Sequence, residues 1–253
     1  MATTIKLCFR LLGMITLLGL AACSTAPVQQ GEVISPVFSA EDVLGEDITY
    51  AGDIYDPWQG FNRAMYRFNY RFDKYIMLPS VKGYQAITPD FAQKGVHNFV
   101  NNIKSISTII NSALQLHGKK TLQTTGRFAV NTTVGILGLF DVATRMSIPH
   151  HKEDFGQTLG RWGVGNGPYI VLPLLGPSNL RDTTGIGVDW WVFNEIDVMN
   201  FDDHEWRRWV YGVLNALDTR ANVAFRYYET GSPLEYRMVR MLYTTKRELD
   251  IAK

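Results

Sequence analysis

The chain has 253 residues, 46% hydrophobic and 19% charged, with 25 Lys and Arg against 24 Asp and Glu for a formal net charge of +1. That length allows one large or two small domains, and the apolar content excludes global disorder. The balanced charge gives no basic excess to bind phosphate backbones, so nucleic-acid binding drops out. Its 13 Phe, 12 Tyr and 6 Trp lie largely among polar neighbours, a pattern suited to surfaces that meet a half-apolar medium.

Lys6 and Arg10 precede an apolar stretch from Leu11 to Ala22 that ends Leu20-Ala21-Ala22-Cys23. Twelve helical residues rise only ~18 Å, short of the ~30 Å hydrocarbon core, so residues 1–22 read as a cleaved export signal. The Leu-Ala-Ala-Cys sequence resembles the lipobox of bacterial lipoproteins, which implies a lipid-modified Cys23. The alternative is a plain signal end or an uncleaved anchor. Cys8 would leave with the signal, so the mature chain holds no disulfide. Acyl chains contribute about 0.8 kcal/mol per buried CH₂, enough to anchor the chain without a spanning helix. Ser24 after the cysteine, by likeness to enterobacterial sorting rules, implies the outer membrane.

Ser24 to Tyr55 carries six acidic residues and no Lys or Arg. Residues 23–55 therefore read as a lipidated, acidic tether reaching about 30 Å as a flexible coil. Residues 56–253 read as one helical domain. Phe61, Met65, Phe68, Phe72 and Ile76 recur at helical spacing as one apolar stripe, with Arg63, Arg67, Tyr66, Tyr70 and Lys74 away from it. Thr88-Pro89 is an N-cap and N1 pair for a helix carrying Val96, Phe99, Ile103, Ile106, Ile110 and Leu114, with Gly118 as its end. A third stretch, roughly Thr121 to Met146, holds the uncharged run Val134 to Phe140. Its Ile136, Leu137, Leu139 and Phe140 are membrane-contact candidates, and the equal alternative is a buried element.

From Gly156 to Pro177, nine Gly and Pro residues rule out a regular helix and predict an ordered loop or short hairpin packing Trp162, Tyr169, Leu172 and Leu174. A long amphipathic helix follows over Trp206, Val210, Val213, Leu217, Ala221, Ala224 and Tyr228. Ser232-Pro233-x-Glu235 is a capping box for a last helix with Leu234, Met238, Met241 and Leu249 inside. Arg237, Arg240, Lys246 and Arg247 form its solvated or headgroup-facing side.

Signals for chemistry are weak. The chain lacks a Gly-x-Ser-x-Gly elbow and a Walker loop, and Gly163-Val164-Gly165-Asn166-Gly167 follows no convincing strand. His150-His151-Lys152-Glu153-Asp154 is the best metal candidate, but neighbouring ligands in one short loop rarely close a site. The reading is therefore not an enzyme, with no catalytic residue, no metal and no cofactor.

Asp56-Pro57-Trp58-Gln59-Gly60-Phe61-Asn62-Arg63-x-Met65-Tyr66-x-Phe68-Asn69 resembles the start of the MlaA (VacJ) family of outer-membrane lipoproteins. The likeness continues in Arg127-Phe128-x-x-Asn131-Thr132-Thr133-x-Gly135, in Gly138-Leu139-Phe140-Asp141-Val142-Ala143 and in Asp154-Phe155-Gly156-Gln157-Thr158-Leu159-Gly160. It runs on through Trp162-Gly163-Val164-Gly165-x-Gly167-Pro168-Tyr169, Leu172-Pro173-Leu174-Leu175-Gly176-Pro177-Ser178 and Arg181-Asp182. After Asp189 the match is loose. The resemblance implies an all-α, ring-like protein in the inner leaflet of the outer membrane, with a central amphipathic channel. It implies that misplaced phospholipids pass from the outer leaflet to a soluble periplasmic lipid carrier, and that trimeric porins hold the ring.

Drawing a diacyl lipid through water would expose some thirty CH₂ groups, on the order of 20–25 kcal/mol, so passive transport needs a sheltered path with one wet wall. The candidates for that path or its gate are Phe61, Arg63, Met65, Arg67, Phe68, Asn69 and Tyr70. Two other readings compete: a membrane-anchored periplasmic hydrolase using Ser178 or an Asp154/His151 pair, and an adaptor that only docks porin to a periplasmic partner.

Overall fold

The computed structural model describes residues 54–197, 199–200, 203–229 and 231–253. The signal, Cys23 and the tether up to residue 53 lie outside the described residues. The described chain is mostly helical, with one two-stranded hairpin in the Gly- and Pro-rich segment, in keeping with the helical class expected.

Residues 59–87 form one helical rod: α1 (Gln59–Phe72), a π-turn over Asp73–Met77, and α2 (Leu78–Ile87). Pro79 has no N–H for the carbonyl four residues back, and the Leu78 N–H reaches the Asp73 carbonyl five back, so the widened turn absorbs the proline. Next comes α3 (Asp90–Leu114), whose N-cap is Pro89, one residue later than the Thr88 cap predicted. Gly118 does not end that helix; it opens α4 (Gly118–Thr133), which packs along α3.

The chain then turns through residues 134–141 and enters the short α5 (Val142–Arg145), capped by the Asp141 carboxylate on the Thr144 N–H. The run Val134 to Phe140 is therefore neither a helix nor a buried element. Ile136 and Leu137 take positive φ, and Val134, Ile136, Leu137, Leu139 and Phe140 are all exposed. Gly138 (φ +90°) packs so closely on Asn102 that a Cβ would sit 2.6 Å from that side chain.

Asp154 and Asn179 cap α6 (Phe155–Arg161) and α7 (Leu180–Ile196), each accepting from the N–H three residues on. These two helices press together at Gly156 and Gly185, where a side chain on Gly185 would meet the Gly156 backbone at 2.3 Å. Between them lies the hairpin, β1 (Tyr169–Leu172) antiparallel to β2 (Gly176–Asn179), with Tyr169 opposite Asn179 and Leu172 opposite Gly176. The breaker-rich segment is thus the expected hairpin, and it buries Tyr169 and Val171 while Trp162 and Leu174 stay exposed.

α8 (Glu205–Ala221) packs on α2 and α3, ending seven residues before the predicted helix does. α9 (Glu235–Ala252) lies on α6 and β2. It starts two residues after Pro233, following a turn in which the Glu235 N–H donates to the Ser232 carbonyl at 3.1 Å.

The helices are amphipathic as predicted, but in α1, α8 and α9 the sides are reversed, whereas α3 buries Val100 and Ile103 beside its polar residues. In α1 the buried side is Asn62, Tyr66 and Asn69, continued by Asp73, while Phe61 and Phe68 of the apolar stripe face outward. In α9, Arg240, Thr244 and Arg247 are buried while Met238, Met241, Leu242 and Leu249 are exposed, which overturns both the apolar core and the solvated Arg240 and Arg247 expected there. In α8, Asp218 is the buried residue, with Trp206, Trp209, Val210 and Val213 outside. Among the described residues 24 polar or charged side chains are buried against eight hydrophobic ones, so the interior is held by hydrogen bonds and ion pairs. All six tryptophans are exposed, from 46% to 75%.

The small apolar core is a knot of tyrosines. Tyr66 meets Tyr227, Tyr228 and Tyr236 edge-on, with ring centroids 4.9, 5.4 and 6.0 Å away, and Tyr169 joins through Tyr236 at 6.1 Å. Edge-to-face packing leaves their hydroxyls free to bond carboxylates: Tyr66 donates to Glu235 at 2.7 Å and Tyr236 to Asp56 at 2.6 Å. Burial and these carboxylates push both phenols well above their ordinary range.

Candidate functional site

α3 carries a second period besides its apolar one. Gln93, His97, Asn101, Ser105 and Thr108 recur every three or four residues on one face, and they line three cavities of about 200, 220 and 310 Å³ that share residues end to end. His97 belongs to the first two, and Asn101, Ser105 and His150 to the second and third. From Gln93 to Thr108 the helix rises ~22 Å, more than the ~15 Å of one hydrocarbon leaflet.

At the first cavity His97 Nδ1 lies 3.1 Å from both carboxylate oxygens of the buried Asp218, and Asn101 and Asn222 hold the rest of the cluster at 2.9–3.2 Å. Tyr84 joins the wall; burial raises its phenol, and Asp218 adds to the effect. At the second, Arg127 of α4 donates to both oxygens of Asp141 at 2.9 Å and to the Ile148 carbonyl, tying the 134–150 segment to α4. Burial would raise the Asp141 carboxyl, but hydrogen bonds from Thr144 and Asn131 and the Arg127 charge hold it below its usual range.

The third cavity is walled by residues 150–154. Each acid there is compensated: Glu153 accepts from Lys120 at 2.7 Å and from Gln115 at 3.2 Å, and Asp154 accepts from Arg247 at 2.7 Å. Burial lowers the proton affinity of His150 and of His151, with Arg127 and Lys152 adding to it at His150 and Lys120 at His151, so both imidazoles favour the neutral form.

The sequence candidates fall elsewhere. None of Phe61, Arg63, Met65, Arg67, Phe68, Asn69 and Tyr70 lines these three cavities. Asn69 is a buried strap: its amide donates to the Leu172 carbonyl at 2.9 Å and accepts from the Leu174 N–H at 2.7 Å. Met65 packs on the tyrosine core, Arg63 stacks on the Tyr236 ring at 4.7 Å, and Tyr70 meets Tyr228 edge-on at 5.0 Å. Arg67 is half-buried, and Phe61 and Phe68 face outward. The membrane-contact candidates Ile136, Leu137, Leu139 and Phe140 share one exposed turn, fixed from behind by the Asn98 amide on the Leu139 carbonyl at 3.0 Å.

The residues of the hydrolase alternative are separated by their bonds. Ser178 is 2% exposed, in β2, with its hydroxyl 3.0 Å from Thr183 Oγ1. His151 bonds Gln123 at 2.9 Å, while Asp154 turns to Arg247. Among the described residues no group of three His, Cys, Asp or Glu is placed to hold a metal ion.

A sequence profile described as MlaA lipoprotein matches residues 54–250, the whole of the domain just described. The chain belongs to the MlaA lipoprotein family. It is 38% identical over 137 residues to the intermembrane phospholipid transport system lipoprotein MlaA of Escherichia coli, covering 51% of this chain and 53% of that protein. With the protein of that name from Haemophilus influenzae the identity is 35%, over 53% of this chain and 55% of the relative. The chain thus spans about half the length of these two relatives. An uncharacterised protein of Rickettsia prowazekii is 36% identical over 70% of this chain and 69% of its own length. A solved structure described as the structural basis for maintenance of bacterial outer membrane lipid asymmetry aligns with a TM-score of 0.62 and 30% identity, covering 78% of this chain and 98% of that one. The polar residues of α3 do recur at a spacing of three or four, but nothing in that spacing alone marks a groove, whose other wall comes from distant segments such as His150 and Asp218.

Proposed function

We propose that this protein is a passive conduit that takes mislocalised phospholipids from the outer leaflet of the outer membrane and hands them to a soluble periplasmic carrier, so maintaining lipid asymmetry. The observation that carries the reading is the reversal of sides: apolar side chains outside, polar ones inside, and a polar groove along α3. A protein that exposes Trp, Leu and Phe around a hydrogen-bonded interior is built for an apolar surrounding medium. No described helix is long and apolar enough to cross a membrane, which fits a body seated in one leaflet and anchored through a lipidated Cys23. Membership of the family and the relatives named for phospholipid transport support the same substrate.

In this reading the headgroup follows the α3 groove, and the acyl chains stay against the apolar outer side. Phe61 and Phe68 on α1 and the 134–140 turn supply part of that side, while Arg63, Arg67 and Tyr70 border it. A conduit needs no reactive centre, so the protein is not an enzyme and takes no cofactor. A trimeric porin is the proposed membrane partner.

Reconstitution tests the reading. Protein in proteoliposomes, with porin present, passes labelled phospholipid to a soluble acceptor without a nucleotide. An adaptor would pass none, and a hydrolase would release lysolipid or fatty acid.

A further inference from the structure

The third cavity contains a charge imbalance. Its acids, Glu153 and Asp154, are each taken up by a basic side chain, whereas its two lysines are not taken up by acids. Lys104 has only the Thr219 hydroxyl at 3.2 Å, and no ion pair is recorded for Lys152 among the described residues. The Thr108 hydroxyl and the His150 imidazole share the wall, while the Ser105 and Ser107 hydroxyls donate to the Asn101 carbonyl and to Asp189, each at 2.9 Å. Lys104 is exposed by area, yet its ammonium is set deeply enough for desolvation to lower its proton affinity, with Asp218 opposing this and Lys152 adding to it. Two ammonium groups held in one concave site repel each other unless an anion sits between them. At about 310 Å³ the cavity is at the small end of ligand sites, of a size for a headgroup rather than for two acyl chains.

We infer that Lys104 and Lys152, with the Thr108 hydroxyl beside them, form a phosphodiester subsite that holds a phospholipid headgroup part-way along the groove. The inference rests on the conduit reading and gives it a stopping point: the phosphate is gripped while the glycerol and its chains stay outside. A free phosphate ion shares the charge but lacks the chains, so the two sources can be told apart.

The test uses the full-length lipidated protein in maltoside micelles, with dihexanoyl phosphatidylglycerol, dihexanoyl glycerol and inorganic phosphate as probes, followed by calorimetry. The phospholipid binds roughly tenfold or more tightly than the phosphate-free lipid, since charge-assisted hydrogen bonds are the strong ones. The K104Q/K152Q protein loses that margin, K104R/K152R keeps it, and K82Q, altered at an exposed lysine of α2 away from the cavity, is unchanged. Equal binding of dihexanoyl glycerol, equal binding of inorganic phosphate, or a margin that persists in K104Q/K152Q overturns the inference. Lipid transfer by wild type, measured alongside, separates the two claims. Transfer without the phosphate margin removes the subsite alone. A margin without transfer removes the conduit and leaves the subsite.

Discussion

Arg247 of α9 donates to Asp154 through both terminal nitrogens at 2.7 Å and, through Nε, to Asp182 at 2.8 Å. One guanidinium thereby joins the cap of α6 and the first turn of α7 to the last helix, and Tyr243 adds a hydroxyl bond to Asp182 at 2.7 Å. Arg247→Leu leaves Asp154 without a cation and Asp182 with Arg181 alone, at a closely packed junction. Removing one partner of a buried pair costs about 3–5 kcal/mol, so the variant should lose most of its margin of stability, read as Tm in detergent. Arg247→Lys cannot span both acids and should recover only part.

The same junction fixes a pH dependence. Burial by itself would raise the Asp154 and Asp182 carboxyls; hydrogen bonds and charge from Arg247 outweigh it and hold both below the usual range. Carboxyls depressed in the folded state stabilise it fully above their unfolded pKa of about 3.9, and that contribution disappears as pH falls through the folded values. The junction's contribution to wild-type stability should therefore be flat from pH 7 to 5 and be lost below about 4, while His150 and His151, whose proton affinity burial lowers, subtract stability as pH falls through their unfolded value of about 6.5. In Arg247→Leu the Asp154 carboxyl keeps its Gln157 hydrogen bonds and Asp182 keeps Arg181 and Tyr243, but the Arg247 contribution is gone, so the fall of Tm below about pH 4 should shrink relative to wild type. A variant whose profile parallels wild type would refute this account of the junction.

Asn62 and Phe61 are neighbours in α1 with opposite expected sensitivities. The Asn62 amide donates to Asp56 at 2.7 Å and to the Tyr169 carbonyl at 3.0 Å, and accepts from the Val171 N–H at 2.8 Å, so it stands in for a strand partner of β1. Asn62→Leu orphans those buried groups and should cost about 1–3 kcal/mol, although it makes the interior more apolar. Phe61→Asn removes an outward ring and should leave stability in detergent within about 0.5 kcal/mol. Ordinary water-soluble logic predicts the reverse order, and chemical denaturation of the two variants decides.

This reversal shows what could be read in the sequence. The periods of Phe61-Met65-Phe68 and of Leu234-Met238-Met241 locate α1 and α9, and the Gly and Pro of 156–177 locate the hairpin. A period separates two faces without naming the inner one; assigning the apolar face inward assumes water outside. In α9, Arg240 and Arg247 instead point in, because Asp56 waits in the chain before α1, Asp154 at the cap of α6 and Asp182 in α7, pairings across more than 60 residues that local patterning cannot register. The 134–140 run is not the buried element of one alternative for a local reason: Gly135 and Gly138 permit an exposed turn in which Leu137 takes φ +56°. The groove on α3 was hidden because its residues are unexceptional singly and meaningful only with His150 and Asp218 brought opposite.

Gly138 holds that turn against α3. With φ +90° and Asn102 2.6 Å from any added Cβ, Gly138→Ala must displace the Asn102 amide from its 2.9 Å bond to Thr132. The expected result is a loss of about 1–3 kcal/mol, with faster proteolysis confined to residues 134–141.

Leu137→Asp on the same turn, and Trp209→Asp on α8, separate stability from membrane contact. Both side chains are exposed and belong to no buried cluster, so neither change removes packing inside the protein, and stability in detergent should move by less than about 0.5 kcal/mol. If the apolar outer side rests in lipid, each change instead exchanges about 1.5–3 kcal/mol of favourable side-chain burial for the cost of a carboxylate at the interface. Vesicle partitioning of protein lacking the Cys23 anchor, measured by flotation, should then fall at least roughly tenfold for each variant. Glu248→Asp, a conservative change at an exposed acidic position of α9, should float as wild type does. Equal flotation of all three would mean that the outward tryptophans and leucines face something other than a bilayer.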